Sequence, residues 1–279
     1  MKPPTYDSII LDIDDDGAAW LRFNTPHKRN AIDLAAMEEV LDALYHVEGR
    51  GDVGALVLTG QGGAFCAGID LREIPDDDDA EVDAATAPAS GHHLRYKAMW
   101  WHQVVHKITR IRMPVLAAVQ GVAAGGGFGL VLAADLAVCD ETARFLCTWH
   151  SNGVANDGAT SYTLTRIVGF RRANELMLTN RTLGAEEALE WGVVNRLYRG
   201  ADFDKQVAVI AADLARGPTH LQAMAKARFH EGWMQSIEEC TEHEIQNIVD
   251  SLAYPYYQER MARYKTRQGR NDSVIVRLP

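Results

Sequence analysis

The chain has 279 residues, 47% of them hydrophobic and 24% charged, and its 38 acidic against 28 basic side chains leave a net charge of −10. That composition excludes a mostly disordered chain, which lacks apolar material for a core, and argues against a protein that wraps nucleic acid, whose footprint is basic. No apolar run approaches the roughly 20 residues that span a bilayer. The start, Met1-Lys2-Pro3-Pro4, carries no readable secretory signal, so no membrane association and a cytoplasmic location are expected. Cys66, Cys139, Cys147 and Cys240 share no CxxC spacing, and all but Cys240 stand among apolar neighbours. Reduced core thiols are expected.

Residues 8–13 and 18–23 are short, partly alternating apolar runs around Asp14-Asp15-Asp16-Gly17, which reads as a β-hairpin. Asp33 is placed to cap a helix in which Leu34, Met37, Leu41 and Leu44 recur at helical steps. Residues 55–59 form a buried strand closed by Gly60-Gln61-Gly62-Gly63. A second helix carries Leu94, Ala98, Trp101, Val105 and Ile108 on one stripe and ends at Pro114; residues 115–119 are again a buried strand. Gly121 to Gly127 then leads into an apolar helix over 128–134, followed by strand-like 136–139 and 145–147. Beyond Gly158 the pattern turns helical, almost wholly so from Pro218 to Leu252. The acidic stretch between Pro75 and Ser90, with Asp76-Asp77-Asp78-Asp79, reads as a solvated surface loop. Strands mixed with helices and then a helical tail describe an α/β core, residues 1–215, with a helical C-terminal region, residues 216–279.

Four segments carry chemistry. Gly125-Gly126-Gly127 stands at a strand-to-helix junction, where free N–H groups and the dipole favour an anion or a developing oxyanion. Read alone, the glycines equally allow close helix–strand packing, and neither a GxGxxG fingerprint nor a phosphate loop is present. Residues 64–71, Ala-Phe-Cys-Ala-Gly-Ile-Asp-Leu, could bring a second backbone N–H to the same place. His102 and His106 have the i, i+4 spacing of helical zinc ligands, but Gln103 replaces the glutamate of HExxH. A general base or a structural histidine is the better reading, and no metal is expected. Residues 149–158 mix Trp149, His150, Asn152, Asn156 and Asp157 between apolar segments; Asp157 is either a turn residue or a base or nucleophile on a loop.

These segments, in this order, resemble the crotonase (enoyl-CoA hydratase/isomerase) superfamily. The resemblance runs from Lys28-Arg29-Asn30-Ala31 through residues 65–71 and the triple glycine to Ala133-Ala134-Asp135-Leu136, and covers most of the chain. It implies a spiral of ββα units, an α-helical C-terminal trimerisation region, acyl-CoA thioesters as ligands, and an oxyanion hole from the N–H groups of Ile69 and Gly126. The hydratases of that family need two glutamates, and here Gly129 and Trp149 fall at those positions.

Within the superfamily, Trp100-Trp101-His102-Gln103, Trp149-His150 with Asn156-Asp157, residues 176–183, 218–222 and 229–242 are similar to a branch that removes halide from aryl-CoA thioesters. The acidic loop looks like an insertion, and Ile69 departs from the aromatic residue common in that branch. The resemblance implies 4-chlorobenzoyl-CoA as substrate, Asp157 as nucleophile, His102 as general base, and Trp149 as the donor that orients Asp157. Trp101 and Leu94 would form apolar walls for the ring, and Arg29 and Arg72 match the region that meets CoA phosphates. The basic tail from Arg260 to Arg270 is a further candidate for CoA contact, and Glu244 would lie near the site without a catalytic part. CoA arrives with the substrate and no separate cofactor is expected; the implied assembly is a homotrimer or a dimer of trimers. Two alternatives stay open: another crotonase-type hydratase, lyase or isomerase using Asp157 as acid or base, and a non-catalytic acyl-CoA-binding protein.

Overall fold

The amino-terminal hairpin forms around one carboxylate. In the computed structural model, which describes residues 3–73, 89–200 and 202–265, β1 (Ile9–Ile13) and β2 (Ala18–Phe23) pair antiparallel with Leu11 opposite Leu21. Asp14 builds the turn by accepting from the N–H groups of Asp16 and Ala18. Asp33 then caps α1 (Leu34–Glu48), accepting from the Ala36 N–H at 2.8 Å. This helix buries Met37, Leu41 and Leu44 and leaves Leu34 half-exposed at its first turn.

β3 (Ala55–Gly60) runs parallel to β2 and is covered on both faces. Leu56 and Leu58 join the core beneath α1, whereas Ala55 and Val57 join a second apolar cluster. Coverage on both sides explains a continuous apolar run in place of alternation. α2 (Ala89–Arg110) follows, then β4 (Val115–Val119). The helix stops at Arg110, four residues before Pro114, and Arg112 of the connection donates to the carbonyls of Glu48, Arg50 and Val53.

Where one loop and a helix from residue 128 are expected, the chain forms β5 (Val122–Ala124) and then α3 (Gly126–Ala133). Two of the glycines are therefore helical. β6 (Leu136–Asp140) and β7 (Arg144–Leu146) follow. Next come α4 (Thr160–Val168), α5 (Phe170–Thr179), β8 (Leu183–Gly184), α6 (Ala185–Glu190), β9 (Arg196–Tyr198) and α7 (Phe203–Ala215). The main sheet has the order β1-β2-β3-β4-β6-β9, parallel from β2 onward, and β5-β7-β8 make a smaller sheet. α7 packs Phe203, Val207, Ile210 and Leu214 on the face of the main sheet opposite α1.

The helical tail comprises α8 (Thr219–Gly232), α9 (Ile237–Ser251) and α10 (Pro255–Lys265). None of its described residues is fully buried. Lys226 anchors α8 to the core, donating to the Asp135 carboxylate at 2.7 Å and to the Ile108 carbonyl at 3.0 Å. Cys66, Cys139 and Cys147 are buried free thiols, each pushed up to about 12 by desolvation. Cys240 is a free, half-buried thiol. The acidic run Asp76–Asp79 and the loop around it, up to residue 88, lie outside the described residues.

Candidate active site

Two irregular segments meet at the start of α3. The first is the chain from Ala64 to Leu71, steadied from below by Asn30. That fully buried amide donates to the carbonyls of Gln61 at 2.9 Å and Ala64 at 2.7 Å, and accepts from the Thr25 N–H. Two isolated parallel bridges, Cys66 with Ala123 and Ile32 with Ile69, lay the segment beside β5 and the entry to α1. The Gly68 carbonyl accepts from Ile32 at 2.8 Å. Because a trans peptide points its C=O and N–H in opposite directions, the Ile69 N–H on that peptide is turned away from Ile32.

Gly126 supplies the second N–H. As the first residue of α3 it has no intrahelical acceptor, and it stands at the positive end of the helix. Glycine is required on both sides of this meeting. A Cβ on Gly68, whose φ is +91°, would sit 2.7 Å from the Ala124 carbonyl and 3.0 Å from the Gly126 nitrogen. A Cβ on Gly126 would sit 2.9 Å from Trp101 Cζ2, and one on Gly127 would strike the Cys66 carbonyl.

The second segment presents Asp157. Trp149 is 5% exposed and donates its indole N–H to Asp157 Oδ1 at 2.9 Å. The backbone then reverses through Gly158 and Ala159, at φ +61° and +58°, and the turn is closed by the Thr160 N–H on the Asp157 carbonyl. The fully buried Thr160 hydroxyl donates to that same carbonyl at 2.8 Å. An alanine in the left-handed region is costly, so the turn is held by its two bonds to one oxygen. His102 reaches in from α2, where its Nε2 accepts from the Gly158 N–H at 3.2 Å. That bond makes Nε2 the acceptor and, in the neutral ring, leaves the proton on Nδ1. Burial raises the Asp157 carboxyl above its ordinary range, against the Trp149 hydrogen bond, which lowers it.

Between the two segments lies a cavity of about 290 Å³ lined by Ile69, Leu94, Gly126, Trp149 and Asp157, among others. Asp157 is the only carboxylate lining it among the described residues. Trp101 is placed differently from a ring wall: it is fully buried beneath Gly126 and Gly158 and does not line the cavity. Its indole N–H has no hydrogen-bond partner among the described residues. His102 is also outside the lining, behind the Asp157 turn, and His106 is exposed.

Arg29 and Arg72 line a shallow groove that shares Ile69 and Leu71 with the cavity. Arg72 is bonded by both ends of its guanidinium to Asp70, and Lys28 lies 3.5 Å from the same carboxylate. The Arg72 bond and the nearby Lys28 hold the Asp70 carboxyl well below its usual range. Glu244 lines a separate hollow between α8 and α9, with Arg228 and Trp233, and is not brought to this cavity within the chain. Part of the basic tail, beyond residue 265, lies outside the described residues. Sequence reasoning missed Lys97, Thr160 and the bracing part of Asn30; a lysine at the i+3 step from Leu94 on an apolar stripe was the one visible signal.

The Enoyl-CoA hydratase/isomerase family model matches residues 14–270. Two Arthrobacter proteins, 4-chlorobenzoyl coenzyme A dehalogenase-2 and dehalogenase-1, are each 48% identical to this chain over 263 residues, 94% of this chain and 92% of theirs. Among solved structures, an enoyl-CoA hydratase/isomerase from Cupriavidus metallidurans CH34 superposes with a TM-score of 0.85 at 25% identity, covering 95% of this chain and 96% of that one.

Proposed function

The chain belongs to the enoyl-CoA hydratase/isomerase family, and on that premise we propose that it hydrolyses the ring halide of 4-chlorobenzoyl-CoA to give 4-hydroxybenzoyl-CoA and chloride. The observation that carries this reading is Asp157, the one carboxylate among the described residues that line the cavity, held by an indole N–H in a space that Ile69 and Gly126 also line. Hydration of an enoyl thioester calls for an acid and a base, and the positions of the two hydratase glutamates hold Gly129 and Trp149. One carboxylate with one nearby imidazole suits displacement followed by ester hydrolysis. The 48% identical dehalogenases support the same choice of substrate.

An aryl chloride resists attack because the incoming electron pair must enter the ring. With a thioester para to the chlorine, that charge reaches the carbonyl oxygen, where the N–H groups of Ile69 and Gly126 stabilise it. One such donor contributes about 3–4 kcal/mol in the transition state. Asp157 Oδ2, the oxygen not engaged by Trp149, attacks the chlorine-bearing carbon. The adduct expels chloride with the C–Cl pair and leaves an aryl ester of Asp157. His102 Nε2, exchanging the Gly158 N–H for water, then takes a proton from that water; the hydroxide adds to the ester carbonyl, and the phenol oxygen departs, regenerating the carboxylate. The net change is aryl chloride plus water to phenol, chloride and a proton.

Leu94 and the aliphatic part of the lining would flank the ring, with Trp101 setting the floor through the two glycines above it. Arg29 and Arg72 would meet the CoA phosphates at the mouth. CoA is part of the substrate, and the residues assigned leave no step for a separate cofactor. The exposed Phe229, Trp233, Met234 and Ile237 of the helical tail support assembly as a homotrimer or dimer of trimers. No described helix is long and apolar enough to cross a membrane; a cytoplasmic location is part of the proposal. The test is to mix the protein with 4-chlorobenzoyl-CoA and follow chloride and 4-hydroxybenzoyl-CoA together. Equal release of both is expected. Turnover of enoyl-CoA instead, or tight aryl-CoA binding without chloride, would replace this reading with a hydratase-type enzyme or a silent binding protein.

A further inference from the structure

Lys97 is a charged residue with no exposed surface, on the same face of α2 as Leu94 and Trp101. A lysine is almost never fully buried without paired, hydrogen-bonded surroundings. Its ammonium donates to Glu73 Oε2 at 2.6 Å and to the backbone carbonyl of Asp70 at 2.9 Å. Glu73 is 44% exposed, so an ion pair made for stability alone had no need to draw the lysine fully inside. The second acceptor gives the burial its use.

Asp70 immediately follows Ile69, which lines the cavity and whose N–H is turned away from Ile32. The N–H of Asp70 donates to the Ile32 carbonyl at 2.8 Å, and the Gly68 carbonyl accepts from Ile32. Those two bonds fasten the donor segment to the entry of α1. The bond from Lys97 fastens it to α2. That helix also carries Trp101, packed beneath Gly126, and His102, bonded to Gly158. One rigid element therefore touches the Ile69 segment, the Gly126 floor and the Asp157 turn.

We infer that Lys97 is a positioning residue, clasping the Ile69 donor segment to α2 so that the two oxyanion donors and the Asp157 turn keep one spacing. It touches no reacting atom. A donor that drifts by an ångström loses most of its transition-state advantage while still admitting the ligand. The inference rests on the aryl-CoA reading of this cavity, and the test separates the two.

The probe is 4-hydroxybenzoyl-CoA carrying ¹³C at the thioester carbonyl, followed by infrared difference spectroscopy, which needs binding but no turnover. The parent protein is expected to lower the carbonyl stretch relative to the free thioester. If the parent does not bind the probe, or leaves the stretch unmoved, the aryl-CoA reading and the clasp fall together. In Lys97→Met the stretch is expected to return part of the way to the free value. The turnover number should drop about 10–100-fold, with KM changed by less than about three-fold. A parent-like stretch in a folded Lys97→Met protein overturns the clasp alone, because a merely structural lysine would lower the melting temperature and leave the bound carbonyl as it was. Lys97→Arg serves if the methionine variant does not fold. It keeps the charge but moves the donor, so a stretch shifted in the same direction is expected, and one identical to the parent overturns the assignment.

Discussion

Two aspartates, one in the cavity and one in the groove beside it, are treated in opposite ways. Asp70, at the mouth, is 6% exposed and still holds its charge easily, because Arg72 meets it with two hydrogen bonds and Lys28 stands near. Asp157, at the inner end, has a neutral indole as its hydrogen-bond donor, and burial raises its carboxyl. The same functional group is quenched in one place and left reactive in the other. A carboxylate locked to a guanidinium is a poor nucleophile, since its lone pairs are already committed. One with a single neutral donor keeps an oxygen free to attack, at the cost of being harder to ionise. In the proposed reaction the mouth therefore works by charge and the inner end by controlled lack of it.

That contrast breaks most simply at Asp157. Asp157→Ala is expected to lower chloride release at least about 10⁴-fold, the scale set by losing a nucleophile, while aryl-CoA binding survives. Chloride release within ten-fold of the parent would mean that the inner aspartate is not the attacking group. His102→Gln sharpens the result by splitting the two halves of the reaction. The first displacement should continue, hydrolysis should slow by about 10²–10⁴-fold, and quenched mass spectra should show an aryl adduct on the peptide containing Asp157. Absence of that adduct during turnover would remove His102 from the role of base. Gly126→Ala attacks the other end of the charge path: the methyl would press on Trp101, and a loss of about 10²–10³-fold in turnover is expected from the displaced donor. Unchanged turnover there would place the carbonyl elsewhere.

Much of this arrangement was legible in the residues. The hairpin, the Asp33 cap and the buried strands β3 and β4 follow from periodicity and turn chemistry alone, because each is decided by neighbours in sequence. β8 and β9 were not legible: they are two and three residues long, and Arg196 interrupts any apolar signal. The start of α3 within the glycine run was missed for a related reason. Glycine is a poor helix former, and only the packing of Gly126 on Trp101 and of Gly127 on Cys66 makes it the necessary residue there. At the site, the motifs pointed to Asp157, Trp149, His102 and the two glycine-flanked donors. Their juxtaposition was not readable, because it depends on Asn30, Thr160 and Lys97. Those side chains act through backbone carbonyls, and a carbonyl leaves no mark in the sequence.

Trp149→Phe addresses the ionisation of the inner aspartate directly. A carboxyl raised by burial attacks only above its elevated pKa, so the acid limb of the pH–rate profile should lie above the range of an ordinary aspartate. The indole N–H opposes the rise, and removing it should move the limb further up. On the acid side of the limb the rate is expected to fall about ten-fold or somewhat more, as for a hydrogen bond to a charged group, and to recover most of the loss as the pH rises past the shifted limb. An acid limb that stays in place would show that the indole shapes the cavity without tuning the carboxylate.

The smallest effect is expected at the mouth. Arg72 has a side chain that is 70% exposed and is already bonded to Asp70, so meeting a CoA phosphate exchanges one anion for another. Such an exchange in water is worth at most about 1 kcal/mol, and Arg72→Gln should raise KM by only about two- to five-fold. The increase should shrink as salt is added, since the charges involved are solvated. It should leave the turnover number alone, because the interaction is the same in ground and transition states. Part of the increase would come from Asp70 itself: deprived of its main partner, it keeps Lys28 nearby but presents more negative charge to the incoming phosphates. Asp70→Asn in the Arg72→Gln background should therefore recover some of the lost affinity. A fall in turnover with KM unchanged would mean that Arg72 acts through Asp70 on the neighbouring Ile69 donor, and the groove and the cavity would then be coupled.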